Sequence, residues 1–448
     1  MHLAFLNLSF KGFPTLNMQR QLLGLTLAAT SVSGPAFGLS LSEAMGHALA
    51  HDPTFLAASQ AREAGQEQRV QGRANLLPTV GATADARKLD ADGVARKLDY
   101  RNYTVSLNQP LLDLAALRLA QQGSQTAIAA DAAFGTARQD ALLRLAGAYF
   151  DVLNAQEALS VTQAEKKAIA EQLESAKRSF EVGTATVTDQ QEAQARFDLI
   201  LASEIRAENN LNVKRQALGL IMGQPLPARL PDLRANLQIP APTPMNAEDW
   251  VAQARAANFV VLRATADQER ARLDVSRQAA GHLPSLDLVA ARSRSIEATA
   301  INSRSDSNYV GLSLTVPILA GGATTSLVRE SSALHNEARH KLDAAKLLAE
   351  QTARESYLNV VAGLAQINAL RAAERSSQLA LESNRLGYEV GVRINIDVLN
   401  AQQQLFAAQR DLAKARNDTL LASLQLRAAV GGLGPADLES MSQLISAK

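Results

Sequence analysis

From Leu39 onward the sequence can be laid over itself at an offset of 206 to 208 residues, and its unusual positions coincide. Leu77-Pro78 falls on Leu283-Pro284, Pro110 on Pro317, Tyr149 on Tyr357, Val182-Gly183 on Val390-Gly391, Asp189 on Asp397, and Gly223 on Gly431. Short-repeat solenoids have units of about 20–50 residues, so a period this long marks a duplicated domain instead. Whatever one copy folds into, the other must accommodate as well.

Proline placement indicates what each copy contains. No proline lies between Pro110 and Pro225, or between Pro317 and Pro435. Each proline-free stretch carries one glycine break of the same kind, Gly183 and Gly391. The first therefore reads as a helix from about Leu111 to Glu181, a turn, and a shorter helix returning towards Gly223. The second reads as a helix from about Gly322 to Glu389, then one from Ile396 to Gly431. At 1.5 Å per residue the longer helices reach on the order of 100 Å. Aromatics are only 4% of the chain, too few for a core built on large rings. Alanine, leucine and glutamine suit long helices in close contact instead. Leu142, Leu145, Tyr149, Val152 and Leu159 fall at steps of three and four, interrupted by Gln156; Tyr357, Val360, Leu364 and Ile367 repeat the pattern. These are coiled-coil seams, with the two tyrosines as packing residues.

Each copy is expected to open on one helix, and between it and the long helix the period changes to two. Tyr103, Val105, Leu107 and Gln109 alternate with Thr104, Ser106 and Asn108; Val310, Leu312, Leu314 and Val316 alternate with Gly311, Ser313 and Thr315. Val80, Ala82 and Ala84, and Leu286, Leu288 and Ala290, repeat the pattern more weakly. Polar stretches, Arg87 to Arg101 and Arg292 to Asn308, join the strands of each hairpin. Strands of about 9–11 residues with one apolar face are long enough to cross a bilayer when tilted. Four strands cannot close a membrane barrel, since the smallest have eight, and open edges in lipid would leave backbone groups unpaired. Inserted hairpins therefore require several chains to share one barrel.

The remaining signals narrow the compartment and exclude chemistry. Arg20, the apolar stretch Leu22 to Ala29 and the small residues Ala36 and Gly38 read as an export signal cleaved after Gly38, with Met18 a plausible start. With 45 basic against 44 acidic side chains, the charge gives no reason to expect a nucleic-acid partner. The absence of cysteine excludes disulfides, thiolate metal sites and a cysteine nucleophile. No nucleophile elbow, phosphate loop or His-Glu-x-x-His motif occurs, so neither an enzyme nor a cofactor is expected. His47 and His51 lie one turn apart without a third ligand nearby and read as surface histidines, not a metal site.

Several motifs together carry a resemblance. They are Ala148-Tyr149-Phe150-Asp151-Val152-Leu153-Asn154-Ala155; Phe180-Glu181-Val182-Gly183-Thr184 with Thr188-Asp189; Gly281-His282-Leu283-Pro284-Ser285-Leu286-Asp287-Leu288; and Gly387-Tyr388-Glu389-Val390-Gly391 with Asp397-Val398-Leu399. From about Leu41 to its C-terminus the chain resembles the TolC-type outer-membrane channel family. The resemblance implies a mainly α fold with a small membrane β-barrel: a long coiled-coil tunnel, four strands per chain, and a twelve-stranded barrel shared in a homotrimer. It implies a passive duct set in outer-membrane lipid with its helical part in the periplasm. That duct would dock onto a periplasmic adaptor (membrane fusion) protein and an inner-membrane ABC or RND-type transporter, for type I protein secretion, multidrug efflux or both. The competing reading is a soluble periplasmic coiled-coil adaptor that binds a channel. Paired hairpins argue against it, because an adaptor needs only one helical hairpin.

The expected domains are an export signal (1–38), a first repeat (39–224), a proline-rich equatorial linker (225–247), a second repeat (248–432) and a C-terminal equatorial segment (433–448). By resemblance, function concentrates at the periplasmic tip, where the helices turn at Gly183 and Gly391. Thr188, Asp189, Tyr388 and Arg393 match the residues that tie neighbouring helices and hold the tunnel shut. Arg393 can donate to an acceptor such as Asp189, and Tyr388 offers a hydroxyl. Thr188 or Asp189 can also serve as a helix cap. Asp397 and Asn400, three residues apart, share a helix face and match the pore constriction, where the family's best-known pattern has two aspartates. Acidic rings favour cations, so three Asp397 carboxylates beside three Asn400 amides would retain cation selectivity with weaker multivalent block.

Overall fold

The computed structural model describes residues 39–89, 98–183, 185–227, 229–231, 237–298 and 303–446. The expected export signal, 1–38, lies outside them. In chain order the elements are α1 (Leu41–His51), α2 (Pro53–Ala74), β1 (Thr79–Leu89), β2 (Leu98–Leu112), α3 (Leu114–Glu181) and α4 (Val187–Met222). There follow α5 (Ala247–Ala257), α6 (Phe259–Ala279), β3 (Ser285–Ala298), β4 (Ser303–Thr315), α7 (Ala323–Glu389), α8 (Asn395–Ala429) and α9 (Pro435–Ser446). The order helix, helix, strand, strand, long helix, return helix thus occurs twice.

Two boundaries differ from the sequence reading. The first long helix begins at Leu114 rather than near Leu111, because β2 continues through Leu112 and Asp113 caps the helix by accepting from the Ala116 N–H at 2.9 Å. The strands also run well into the polar stretches. β2 and β3 are 15 and 14 residues long, and Arg294 and Asp306 pair across β3 and β4 at 2.8 Å. Apolar alternation marks only the part of a strand with an apolar face, so the outer ends of the strands were illegible.

The four strands form one antiparallel sheet in the order β1-β2-β3-β4. The central pairing, β2 with β3, joins the two copies. Register places Val80, Leu107, Ala290 and Val310 side by side, with Leu288 beside Leu312 and Ala82 beside Val105 in the neighbouring rows. One face is therefore apolar across all four strands; Val80, Val105, Val310, Leu312 and Leu314 are exposed on it. The other face carries Thr83, Thr104, Ser293 and Asn102, with the Thr104 hydroxyl donating to Ser293 at 3.2 Å and Ser293 to Asn102 at 2.9 Å. β1 and β4 are unpaired at the two edges.

Below the sheet the helices lie side by side. Near the strands α2 packs on α3, α3 on α6 and α6 on α7; towards the far end α4 packs on α3, α3 on α8 and α8 on α7. The largest core gathers Leu142, Leu145, Tyr149 and Val152 of α3 with α1, α4, α8 and α9. Gln156 breaks that seam for a reason: it is buried, donates to the Leu230 carbonyl at 3.0 Å and accepts from the Leu230 N–H at 3.1 Å. The interrupting amide thus pins the segment joining the repeats. Tyr149 donates to the Leu39 carbonyl at 3.0 Å, and Tyr357 to that of Met245 at 2.9 Å. Burial pushes the Tyr149 hydroxyl's pKa up, which keeps it a donor.

The single helix expected before each hairpin is two helices, broken at Asp52 and at Asn258, both N-caps. Burial alone would raise the Asp52 carboxyl, but hydrogen bonds from Thr54 and Arg144 outweigh it and hold the group below its ordinary range. Each break packs against the glycine that ends a return helix. A Cβ built on Gly223 would lie 2.8 Å from the His51 Cβ, and one on Gly431 only 2.1 Å from the Ala257 carbonyl oxygen. Both glycines have positive φ, +70° and +76°.

Candidate functional site: the helical tip

The end of the helical layer remote from the sheet is built from two helical turns. In each, the last helical N–H groups fold back on the helix and a glycine takes the left-handed conformation. Val182 donates to Arg178 at 3.2 Å and Gly183, at φ +78°, to Phe180 at 3.0 Å. Val390 donates to Leu386 at 3.1 Å, Arg393 to Gly387 at 3.0 Å, and Gly391 has φ +79°. Nothing lies within 4 Å of a Cβ built on either glycine, so backbone conformation alone requires it.

Beyond the first turn, Thr186 and Asp189 form a reciprocal capping box. The Asp189 N–H donates to the Thr186 hydroxyl at 3.2 Å, and the Asp189 carboxylate accepts from the Thr186 N–H at 2.9 Å and its hydroxyl at 2.7 Å. Asp189 therefore takes the capping role, completed by Thr186, which sequence reasoning had passed over. Thr188 is exposed on the first turn of α4. After the second turn, Arg393 reaches Asp397 at 3.6 Å, a loose pair between an exposed guanidinium and a half-buried carboxylate. Within one chain Arg393 is thus paired with Asp397 and not with Asp189. Tyr388 packs its ring against Leu381, Val398, Ala401 and Leu405, and its hydroxyl makes no hydrogen bond among the described residues.

α8 is tied to α3 and α4 by polar contacts that no local pattern announced. Asn395 is fully buried, accepts from the Gln172 amide and donates to the Asp189 carbonyl at 3.4 Å. Two turns further, Arg196 of α4 donates to Asn400 and to Gln403, both at 2.9 Å. Further still, Arg410 meets the buried Glu165 of α3 at 2.8 Å. Apolar packing of Ile169, Leu173, Ala193, Ile200 and Leu399 lies between these ties. Asp397 is half-buried and Asn400 exposed on the same side of α8.

His51 directs its Nδ1 to the His47 carbonyl at 3.0 Å, an ordinary helical contact. Among the described residues no group of three or more potential ligands could hold a metal, and no helix is long and apolar enough to cross a membrane.

Comparison with known proteins meets this geometry. The family of outer membrane efflux proteins matches residues 44–224 and 250–432. The chain is 32% identical to outer membrane protein TolC of Vibrio cholerae over 94% of this chain and 97% of the relative. It is 33% identical to the alkaline protease secretion protein AprF of Pseudomonas aeruginosa, over 90% and 87%. Its fold is similar to that of the outer membrane protein VceC of Vibrio cholerae, with a TM-score of 0.76 over 88% of this chain and 96% of that one, at 18% identity.

Proposed function

The chain belongs to the outer membrane efflux protein family, and on that premise we propose that three copies assemble into one passive exit duct. As a family member it is an outer-membrane exit channel, not an enzyme, with its helical part in the periplasm. The observation that carries the trimer is the sheet: four strands, an apolar face running across all of them, and two unpaired edges. Pairing β1 of one chain with β4 of the next is a head-to-tail contact, and a ring closes it at twelve strands. The helical layer has matching margins. α4 exposes Leu199, Ile205, Val213 and Leu220, and α7 exposes Leu347, Leu348, Leu358 and Leu379, surfaces suited to a neighbouring chain.

The duct is closed at its tip by weak contacts around Gly183 and Gly391. Arg393 and Tyr388 stand ready to reach Thr188 or Asp189 of an adjoining chain, and Asp397 with Asn400 narrows the lumen. Loose exposed ion pairs suit a gate, because a docking partner can replace them at small cost. An inner-membrane transporter and its periplasmic adaptor supply the energy and that docking. The export signal 1–38 is removed, and the repeats 39–224 and 248–432 flank the linker 225–247, with 433–448 as a C-terminal equatorial segment. Similarity to AprF, a protease secretion protein, favours a polypeptide cargo.

Export by a strain lacking this chain tests the cargo. Its large secreted polypeptides should be retained in the cell, with full secretion restored by the intact gene. Unchanged protein secretion, with drug sensitivity alone increased, would assign the duct to efflux instead.

A further inference from the structure

Arg196 has partners that do not neutralise it. Its guanidinium donates to the Asn400 and Gln403 side-chain oxygens, both at 2.9 Å, and these are uncharged amides. A guanidinium keeps its proton at any physiological pH, so a full positive charge stands beside Asn400. The other charged groups nearby are accounted for. Arg410 is paired with Glu165, Lys166 with Glu204, and Arg393 with Asp397; the Asp189 carboxylate accepts only from uncharged groups of its cap and keeps its charge, two turns before Arg196 at the positive end of the α4 dipole. Glu192, one turn before Arg196 on α4, makes no ion pair with it among the described residues. Asp198 accepts from Gln194 and lies about 200° around the helix from Arg196.

We propose that Arg196 is a specificity-determining residue of the constriction, bringing positive charge to Asn400 and leaving the duct with little preference between cations and anions. The inference rests on the reading of this chain as a duct narrowed at Asp397 and Asn400. With Arg196 in place, its charge and that of Arg393 stand against those of Glu192, Asp397 and Asp189, the last partly offset by the N-terminal dipole of α4. Without it, three carboxylates face one guanidinium, and three chains repeat the imbalance around a narrow lumen, where fixed charge selects ions. The residue also spans α4 and α8, so its charge must be separated from its tie.

The test is the reversal potential of the extracted, full-length protein in planar bilayers under a potassium chloride gradient. The unaltered protein should show cation and anion permeabilities within about twofold of each other. Arg196→Gln, which can still bridge the helices, should raise the cation preference by roughly three- to tenfold. Arg196→Lys, which keeps the charge but loses the planar two-way contact, should stay near the unaltered value. Asn400→Asp should move selectivity in the same direction as Arg196→Gln.

An Arg196→Gln channel with the original reversal potential would overturn the inference. So would an Arg196→Lys channel as cation-selective as the glutamine variant, since that would make the tie decisive. A strongly cation-selective unaltered channel would contradict it while leaving the duct intact. Failure of the unaltered protein to conduct at all would overturn the duct reading and the inference together.

Discussion

Replacing Gly431 by valine should remove most of the folded protein from the outer membrane. Two independent costs meet at this residue. Its φ of +76° is a left-handed conformation that costs a side-chain-bearing residue about 1–2 kcal/mol. A Cβ there would also stand 2.1 Å from the Ala257 carbonyl oxygen, so α5 or the end of α8 must shift. Overpacking of this kind adds typically about 1–3 kcal/mol, for a total of roughly 2–5 kcal/mol. The break between α5 and α6 depends on the same joint, because Asn258 donates to the Ala429 carbonyl at 2.8 Å. Gly391 provides the control. It has nearly the same φ, +79°, but open space around it, so Gly391→Val should lose only the backbone part. Thermal melting of the extracted variants at one scan rate separates the two. Equal losses would mean that the close approach at Gly431 carries no weight.

Val310→Arg should prevent stable insertion, whereas Ser106→Arg should be tolerated. Val310 lies in the row with Val80, Leu107 and Ala290, near the middle of the apolar band, and is 78% exposed. An arginine facing lipid at mid-membrane depth costs about 2–4 kcal/mol per chain, and a trimer incurs that three times. Ser106 pairs with Gly81 and Ala291 on the polar face, which a closed barrel turns towards water. The fraction of each variant recovered in the outer membrane gives the comparison. Loss of Ser106→Arg alone would mean that the sheet's faces are assigned the wrong way round, and loss of both would mean that no face of the sheet meets water.

Much of this architecture could be read from the sequence because long regular elements leave long regular signals. The proline-free stretches announced α3 with α4 and α7 with α8, and the left-handed glycines stand at both expected turns. Alternation found the apolar halves of all four strands but missed their outer ends, where Arg294 and Asp306 put charge on the apolar side. The breaks at Asp52 and Asn258 were legible in principle, since each is a capping residue at the head of a helix, one of them followed by Pro53. They were missed because apolar periodicity continues across them.

The tip was legible as a place and much less so as a set of contacts. Gly183 and Gly391 locate it, but which side chains meet depends on how α4 and α8 lie against one another. Arg196 and Asn400 are separated by 204 residues in the chain, and no local pattern joins them. Asp189 shows the reverse problem. The family pattern offers it a gating partner, and the structure of one chain engages it in a cap with Thr186, a residue the resemblance does not single out.

If several chains share one membrane barrel, the protein extracted from fractionated membranes must have a native mass well above that of one chain. The expected result is an outer-membrane species with the mass of three chains, each 47.8 kDa before removal of the export signal. A monomer recovered from the soluble periplasmic fraction would contradict it.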